Sequence, residues 1–146
     1  MTPTDSDGKF PYMKRAESES PRDRLLKVVN AALQRKARGP VVLKVKEISS
    51  FADYFFICSG TSDRQVKAIA SWLEESLGKE GIFPRGIEGK EFGHWVLMDY
   101  DDIIVHIFYE PVRTFYDLER LWHEAPQLAI DENLTEIKSL GEDFTD

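Results

Sequence analysis

The chain of 146 residues holds a single cysteine, Cys58, which excludes an internal disulfide and a zinc site built on paired cysteines. No apolar run approaches the roughly 20 residues that a membrane-crossing helix needs. The start of the chain carries no apolar leader, so the expectation is a cytoplasmic protein with no membrane partner. Positive charge is scarce too. The formal net charge is −7, and residues 124–146 carry seven acids (Glu124, Asp131, Glu132, Glu136, Glu142, Asp143, Asp146) against Lys138 alone. What remains is close to neutral, which argues against a strongly basic nucleic-acid domain. Gly-x-Ser-x-Gly, His-Glu-x-x-His and the phosphate-loop Gly-Lys-Ser/Thr element are all missing. Hydrophobic residues make up 42% of the chain and aromatics 12%, enough for one domain with a core of its own. Cys58 sits inside an apolar run and reads as a buried, unreactive thiol.

Residues 1–19 are polar without periodicity and read as a disordered lead-in. Residues 20–123 read as the folded domain and residues 124–146 as an acidic extension, with a little helix expected over 134–140. Within the domain, Ser20 suits an N-cap, Pro21 the first helical position and Asp23 the first turn. Leu25, Val28, Val29, Ala32 and Leu33 then repeat at helical spacing until Gly39-Pro40 stops the pattern. "VVLKV" (41–45) reads as a strand, and "ADYFFICSG" (52–60) as a central strand apolar on both faces. A second helix follows, with Ser62 and Gln65 as a capping box and Val66, Ile69, Ala70, Leu73 and Leu77 as its apolar stripe. "FPRGIEG" suggests an edge strand, broken by Pro and Gly. Two strands near 94–100 and 103–108 and a helix over 111–122 complete the order α-β-β-α-β-β-β-α. That order predicts an α/β fold, a mixed sheet of about five strands flanked by helices.

The stretch "HWVLMDYDDIIVHIF" (94–108) is the most informative. A two-residue turn at Asp101-Asp102 sets Asp99 opposite Ile104, Leu97 opposite His106 and Trp95 opposite Phe108. One face then collects Val96, Met98, Tyr100, Ile103, Val105 and Ile107 and belongs to the core. The other collects Trp95, Leu97, Asp99, Ile104, His106 and Phe108. Two readings of this second face stay open. It lies under a helix, with Asp99 and His106 forming a satisfied polar pair across about 7–8 Å of backbone. Alternatively it is a recognition patch, with aromatics giving buried area and polar groups setting register. Metal chemistry there lacks donors: one acid and one histidine share the face, where three or four are needed.

An enzymatic alternative centres on "CSGTSDR", a strand-to-helix turn at residues 59–62 that includes Ser59 and Ser62. A helix start binds anions through free N–H groups, and a nucleotidyl-transferring enzyme uses a Gly-Ser turn followed by two close carboxylates. Here Glu74 and Glu75 are adjacent in mid-helix, so they point about 100° apart and chelate one ion poorly. No metal site and no cofactor is expected.

Three blocks, "DYFFICSGTSDRQVKAIA", "GHWVLMDYDDIIVHIF" and "RTFYDLERLW", together resemble the ribosomal silencing factors, also called the Iojap family, in order and in spacing. The resemblance spans roughly residues 22–124 and omits both tails. Members often carry glycine at the position of Asp101. The resemblance implies a homodimeric α/β domain whose sheet is nucleotidyltransferase-like but without catalytic activity. It also implies binding to the large-subunit ribosomal protein numbered fourteen, which blocks joining of the subunits and reduces translation when nutrients are scarce. No sequence-specific nucleic acid is implied.

The candidate partner-binding residues follow from the residues and the resemblance together. Trp95, Leu97, Asp99 and His106 come first, although Trp95 reads equally well as a core tryptophan under the last helix. Lys67 and Arg64 lie off the apolar stripe of the second helix and read otherwise as a solvated face. Arg113, Tyr116 and Asp117 open the last helix, where Asp117 could instead serve a cap begun by Thr114. Phe115, Leu118, Leu121 and Trp122 read as core or dimer contacts.

Overall fold

The computed structural model describes residues 19–141 and Phe144. Of the lead-in expected at residues 1–19, all but Glu19 lies outside the described residues. Helix α1 (Pro21–Gln34) starts where the cap residues predict, with the Ser20 hydroxyl accepting the Asp23 N–H at 3.1 Å. It ends earlier than Gly39. Lys36 takes φ 58°, and the chain turns at once into β1 (Arg38–Lys44), so that Gly39 and Pro40 form the bulged start of the strand.

Strand β2 (Tyr54–Gly60) is buried at every position, as a strand apolar on both faces should be. Helix α2 (Asp63–Lys79) is capped by Ser62, whose hydroxyl accepts the Gln65 N–H at 3.1 Å. The Gln65 side chain accepts the Thr61 N–H at 2.7 Å, one residue outside a strict capping box. The five buried residues of α2 are the expected stripe: Val66, Ile69, Ala70, Leu73 and Leu77. Strands β3 (Gly86–Glu88), β4 (Trp95–Asp99) and β5 (Ile103–Tyr109) follow.

The last helix departs from expectation. It begins at Glu110, directly out of β5, because Pro111 suits a first helical turn, and Thr114 lies inside it rather than at its cap. Asp117 at φ 47° then breaks it into α3 (Glu110–Tyr116) and α4 (Leu118–Leu121).

The acidic extension also needs correction. Gln127–Ala129 form a sixth strand, β6, antiparallel to β1. Residues 134–140 are irregular, with no helix. The side chain of Asn30 brackets this stretch, accepting the Ile137 N–H at 2.8 Å and donating to its carbonyl at 3.0 Å. Ala125, Ile130, Leu140 and Phe144 are buried.

The sheet therefore has six strands, ordered β3-β4-β5-β2-β1-β6, with β2 and β5 parallel and the other pairs antiparallel. One face packs against α1, α2 and the returning C-terminal residues Ile130, Leu140 and Phe144. The other holds a smaller cluster, Leu43, Val45, Phe55, Ile57 and Phe108, roofed by Leu118 and Ala125. Among the described residues, no helix is long and apolar enough to cross a membrane.

Candidate docking face

The hairpin β4–β5 pairs in the register predicted from the sequence: Trp95 with Phe108, Val96 with Ile107, Leu97 with His106, Met98 with Val105 and Asp99 with Ile104. The turn is held by side chains as well as backbone. Asp101 takes the left-handed conformation at φ 73°, which aspartate tolerates better than most residues. Its N–H donates to Asp99 Oδ1 at 2.8 Å, and its carboxylate pairs with Arg85 at 2.8 Å. Asp102 pairs with Arg24 at 2.7 Å, tying the turn to α1. The approach to β4 is tight: at Gly89, φ 84°, an added Cβ would lie 2.0 Å from the carbonyl oxygen of Trp95, so only glycine fits.

Val96, Met98, Tyr100, Ile103, Val105 and Ile107 are all buried under the helices. On the opposite face Trp95, Leu97, Asp99 and Ile104 are only partly covered, while His106 and Phe108 are buried. Aromatic rings collect around Trp95. Its ring centroid lies 4.8 Å from Phe108 and 4.8 Å from Tyr116 of α3. His106 sits edge-on to Phe55 at 5.1 Å, and Phe55 in turn meets Trp122 at 5.0 Å. Beside this cluster apolar side chains stand open: Phe115 is 80% exposed and Leu121 72%, and Tyr116 at the cluster's edge is 53% exposed.

The expected Asp99–His106 pair does not form. His106 Nδ1 accepts the Trp95 indole N–H at 3.1 Å, and the Asp99 carboxylate accepts the Asp101 N–H. The turn residue is nearer to Asp99 than the imidazole across the strand, and Trp95 supplies a donor on the imidazole's own side. Burial at 5% exposure pushes the His106 pKa from 6.5 down to about 4, so the ring is neutral at pH 7.

The other candidates fall in different places. Tyr116 packs at a tilt against Trp95 and joins the face. Arg113 is engaged inside the protein, donating to Ser59 Oγ at 2.8 Å and to Glu119 at 2.7 Å and 3.1 Å. Asp117 is the exposed joint between α3 and α4, and its side chain makes no cap hydrogen bond. Lys67 and Arg64 belong to α2, in the layer across the sheet from Trp95. The Lys67 stem lies against Gly93 at the rim, and Arg64 is exposed on the first turn. Of the set read from the sequence as core or dimer contacts, Leu118 is sealed in the core and Trp122 partly covered, while Phe115 and Leu121 lie outside the core, exposed on the single chain. The 3.6-residue spacing found the apolar side chains, but the break at Asp117 turned two of them outward.

The turn at residues 59–62 has its polar groups taken up. Ser59 accepts from Arg113, Ser62 caps α2, and Gln65 accepts from both Thr61 N–H and Thr61 Oγ1. Glu74 pairs with Lys90 at 3.2 Å and Glu75 with Lys79 at 3.8 Å, so the two acids diverge. Among the described residues, no three His, Cys, Asp or Glu side chains converge to hold a metal. Cys58 is fully buried, and burial pushes its thiol up to about 12 against the opposing pull of Arg113.

Comparison with known proteins agrees with the fold. The family model described as ribosomal silencing factor during starvation matches residues 18–144. A ribosomal silencing factor of Halalkalibacterium halodurans is 43% identical over 103 residues, 70% of this chain and 88% of that protein. The Bacillus subtilis protein of the same name is 40% identical over 108 residues, 73% of this chain and 92% of its own. A mouse protein named for mitochondrial assembly of the ribosomal large subunit is 30% identical over 123 residues, covering 80% of this chain and 52% of that one. Among solved structures, a Bacillus halodurans protein superposes with a TM-score of 0.65 at 40% identity, covering 73% of this chain and 97% of that one.

Proposed function

From the premise that this chain belongs to the ribosomal silencing factor family, we propose that it represses translation by sitting on the large ribosomal subunit and blocking subunit joining. Membership assigns a ribosome-associated role. The finer reading is that the contact is with the large-subunit protein numbered fourteen, that the chain acts as a cytoplasmic homodimer, and that repression serves nutrient limitation. Joining needs two complementary surfaces to meet. A folded body on one of them prevents this by volume exclusion, so the mechanism asks for affinity and register and no bond-making step. The observation that carries the reading is the aromatic face continuous from Trp95 through Tyr116 to Phe115, with Leu97 and Asp99 beside it. Aromatic anchors of this kind supply most of the binding energy at interfaces, and a flanking acid sets orientation against a basic partner. A near-neutral body with an acidic C-terminal segment gains little from bare ribosomal RNA, which favours a protein seat.

The test is co-sedimentation with separated subunits and binding to the isolated large-subunit protein. We expect a signal on the large subunit alone. Asp99→Arg should abolish binding while stability changes by less than about 1 kcal/mol. Binding that survives Asp99→Arg in a folded protein would remove the hairpin face from the contact.

A further inference from the structure

Building on the docking reading, we infer that His106 is a positioning residue for that contact: it holds the Trp95 indole N–H inside the protein and so presents the indole to the partner as a purely apolar anchor. The argument starts from donors and acceptors. Indole nitrogen only donates, so at 3.1 Å the Nδ1 of His106 must accept, which puts the imidazole proton on Nε2. Nε2 is buried and has no hydrogen-bond partner among the described residues. A leucine or phenylalanine in this pocket of Phe55, Phe108 and Trp95 would avoid that orphaned donor, so histidine is a poor choice for stability alone. What histidine provides and an apolar side chain does not is an acceptor beneath Trp95.

Two consequences follow for recognition. The hydrogen bond, with Phe108 and Tyr116 at 4.8 Å on the ring, fixes both torsions of a side chain that is otherwise only partly covered. An anchor already held in its bound orientation loses less entropy on docking. The indole N–H is also withdrawn from the interface, so the seat that receives Trp95 needs apolar walls and no acceptor. Selectivity comes with this, because a seat offering a carbonyl or carboxylate to the indole would leave that group unpaired.

The experiment has a spectroscopic arm and a binding arm. In the unaltered protein, nitrogen NMR should find Nδ1 of His106 unprotonated and Nε2 protonated, with scalar coupling across the N–H···N bond to Trp95. A protonated Nδ1 at neutral pH overturns the inference. In the binding arm, against the isolated large-subunit protein numbered fourteen, Trp95→Ala should lose binding. His106→Leu should weaken it at least about tenfold, with the Trp95 indole N–H newly open to solvent exchange. His106→Asn puts an acceptor oxygen close to the position of Nδ1 and should restore binding to within about threefold of the unaltered protein. Unchanged binding by a folded His106→Leu, or a His106→Asn as weak as His106→Leu, overturns the inference. If His106→Leu does not fold, the tautomer and the asparagine variant decide. Unchanged binding by Trp95→Ala would overturn the docking reading itself, whereas loss there with normal binding by His106→Leu overturns the His106 inference alone.

Discussion

Side chains one residue apart along β4 and β5 meet two different fates. Val96, Met98, Val105 and Ile107 point toward α1 and α2 and are sealed. Trp95, Leu97, Asp99 and Ile104 point the other way, under a roof made of two short helices and a loop that leaves them half covered. Composition does not separate the faces, since both are largely apolar. The difference is in what packs against them. Two long amphipathic helices and the returning C-terminal residues seal one face, whereas α3 and α4, split at Asp117, cover the other only in part. An apolar surface left half covered beside exposed Phe115 and Leu121 is where a second molecule gains most by burying area.

Stripping cover from the sealed face should have the largest effect. The C-terminal residues close part of that face, so deleting residues 125–146 removes β6 and the burial of Ile130, Leu140 and Phe144. At roughly 1.5–3 kcal/mol per large buried side chain, the loss is of order 5 kcal/mol, a large share of the stability of a domain this size. Denaturant unfolding reads it, and an unchanged midpoint would mean that α1 and α2 seal that face unaided.

Single substitutions compare the faces directly. Ile107→Ala should cost about 3 kcal/mol of stability and leave the affinity of the folded fraction intact. Leu97→Ala should cost less than about 1 kcal/mol and weaken binding to the large-subunit protein. Equal stability losses from the two would show that the faces are equally sealed.

The last comparison separates them by pH. His106 has a pKa of about 4 folded and about 6.5 unfolded, because burial disfavours its charged form. Between those values the unfolded chain binds more protons, so this group's contribution holds above about pH 6.5 and is lost as pH falls toward 4. The loss amounts to up to about 3 kcal/mol. Unfolding of the unaltered protein and His106→Asn at pH 7.5 and 4.5 should therefore differ in slope, with the variant less acid-sensitive. Equal acid sensitivity would show that the imidazole is already charged or hydrated when folded.

Much of this was legible along the chain. The α1 and α2 starts, the α2 stripe and the hairpin register rest on interactions within a few residues, and caps and alternation report those; β2 and β3 were legible through an unbroken apolar run and a Pro- and Gly-interrupted one. Asp101 holds the left-handed turn position, with its N–H bonded to Asp99 and its carboxylate paired with Arg85. The strand β6 was not legible: three residues, "QLA", are too few for a period, and they become a strand only because β1 offers an unpaired edge. The Trp95–His106 bond was missed in favour of an Asp99–His106 pair because alternation says which side chains share a face and nothing about which donor reaches which acceptor. The split at Asp117 depends on one left-handed residue, and it decided that Phe115 and Leu121 face water.

By itself the sequence determined the elements, their order, and which hairpin residues look the same way, because helix caps, turn residues and alternation act over short separations. Tertiary structure alone decided which face is sealed and which stays half open, where the acidic segment docks, and how His106 is used. Those outcomes turn on segments far apart in the chain meeting in space, and local spacing carries no record of the meeting.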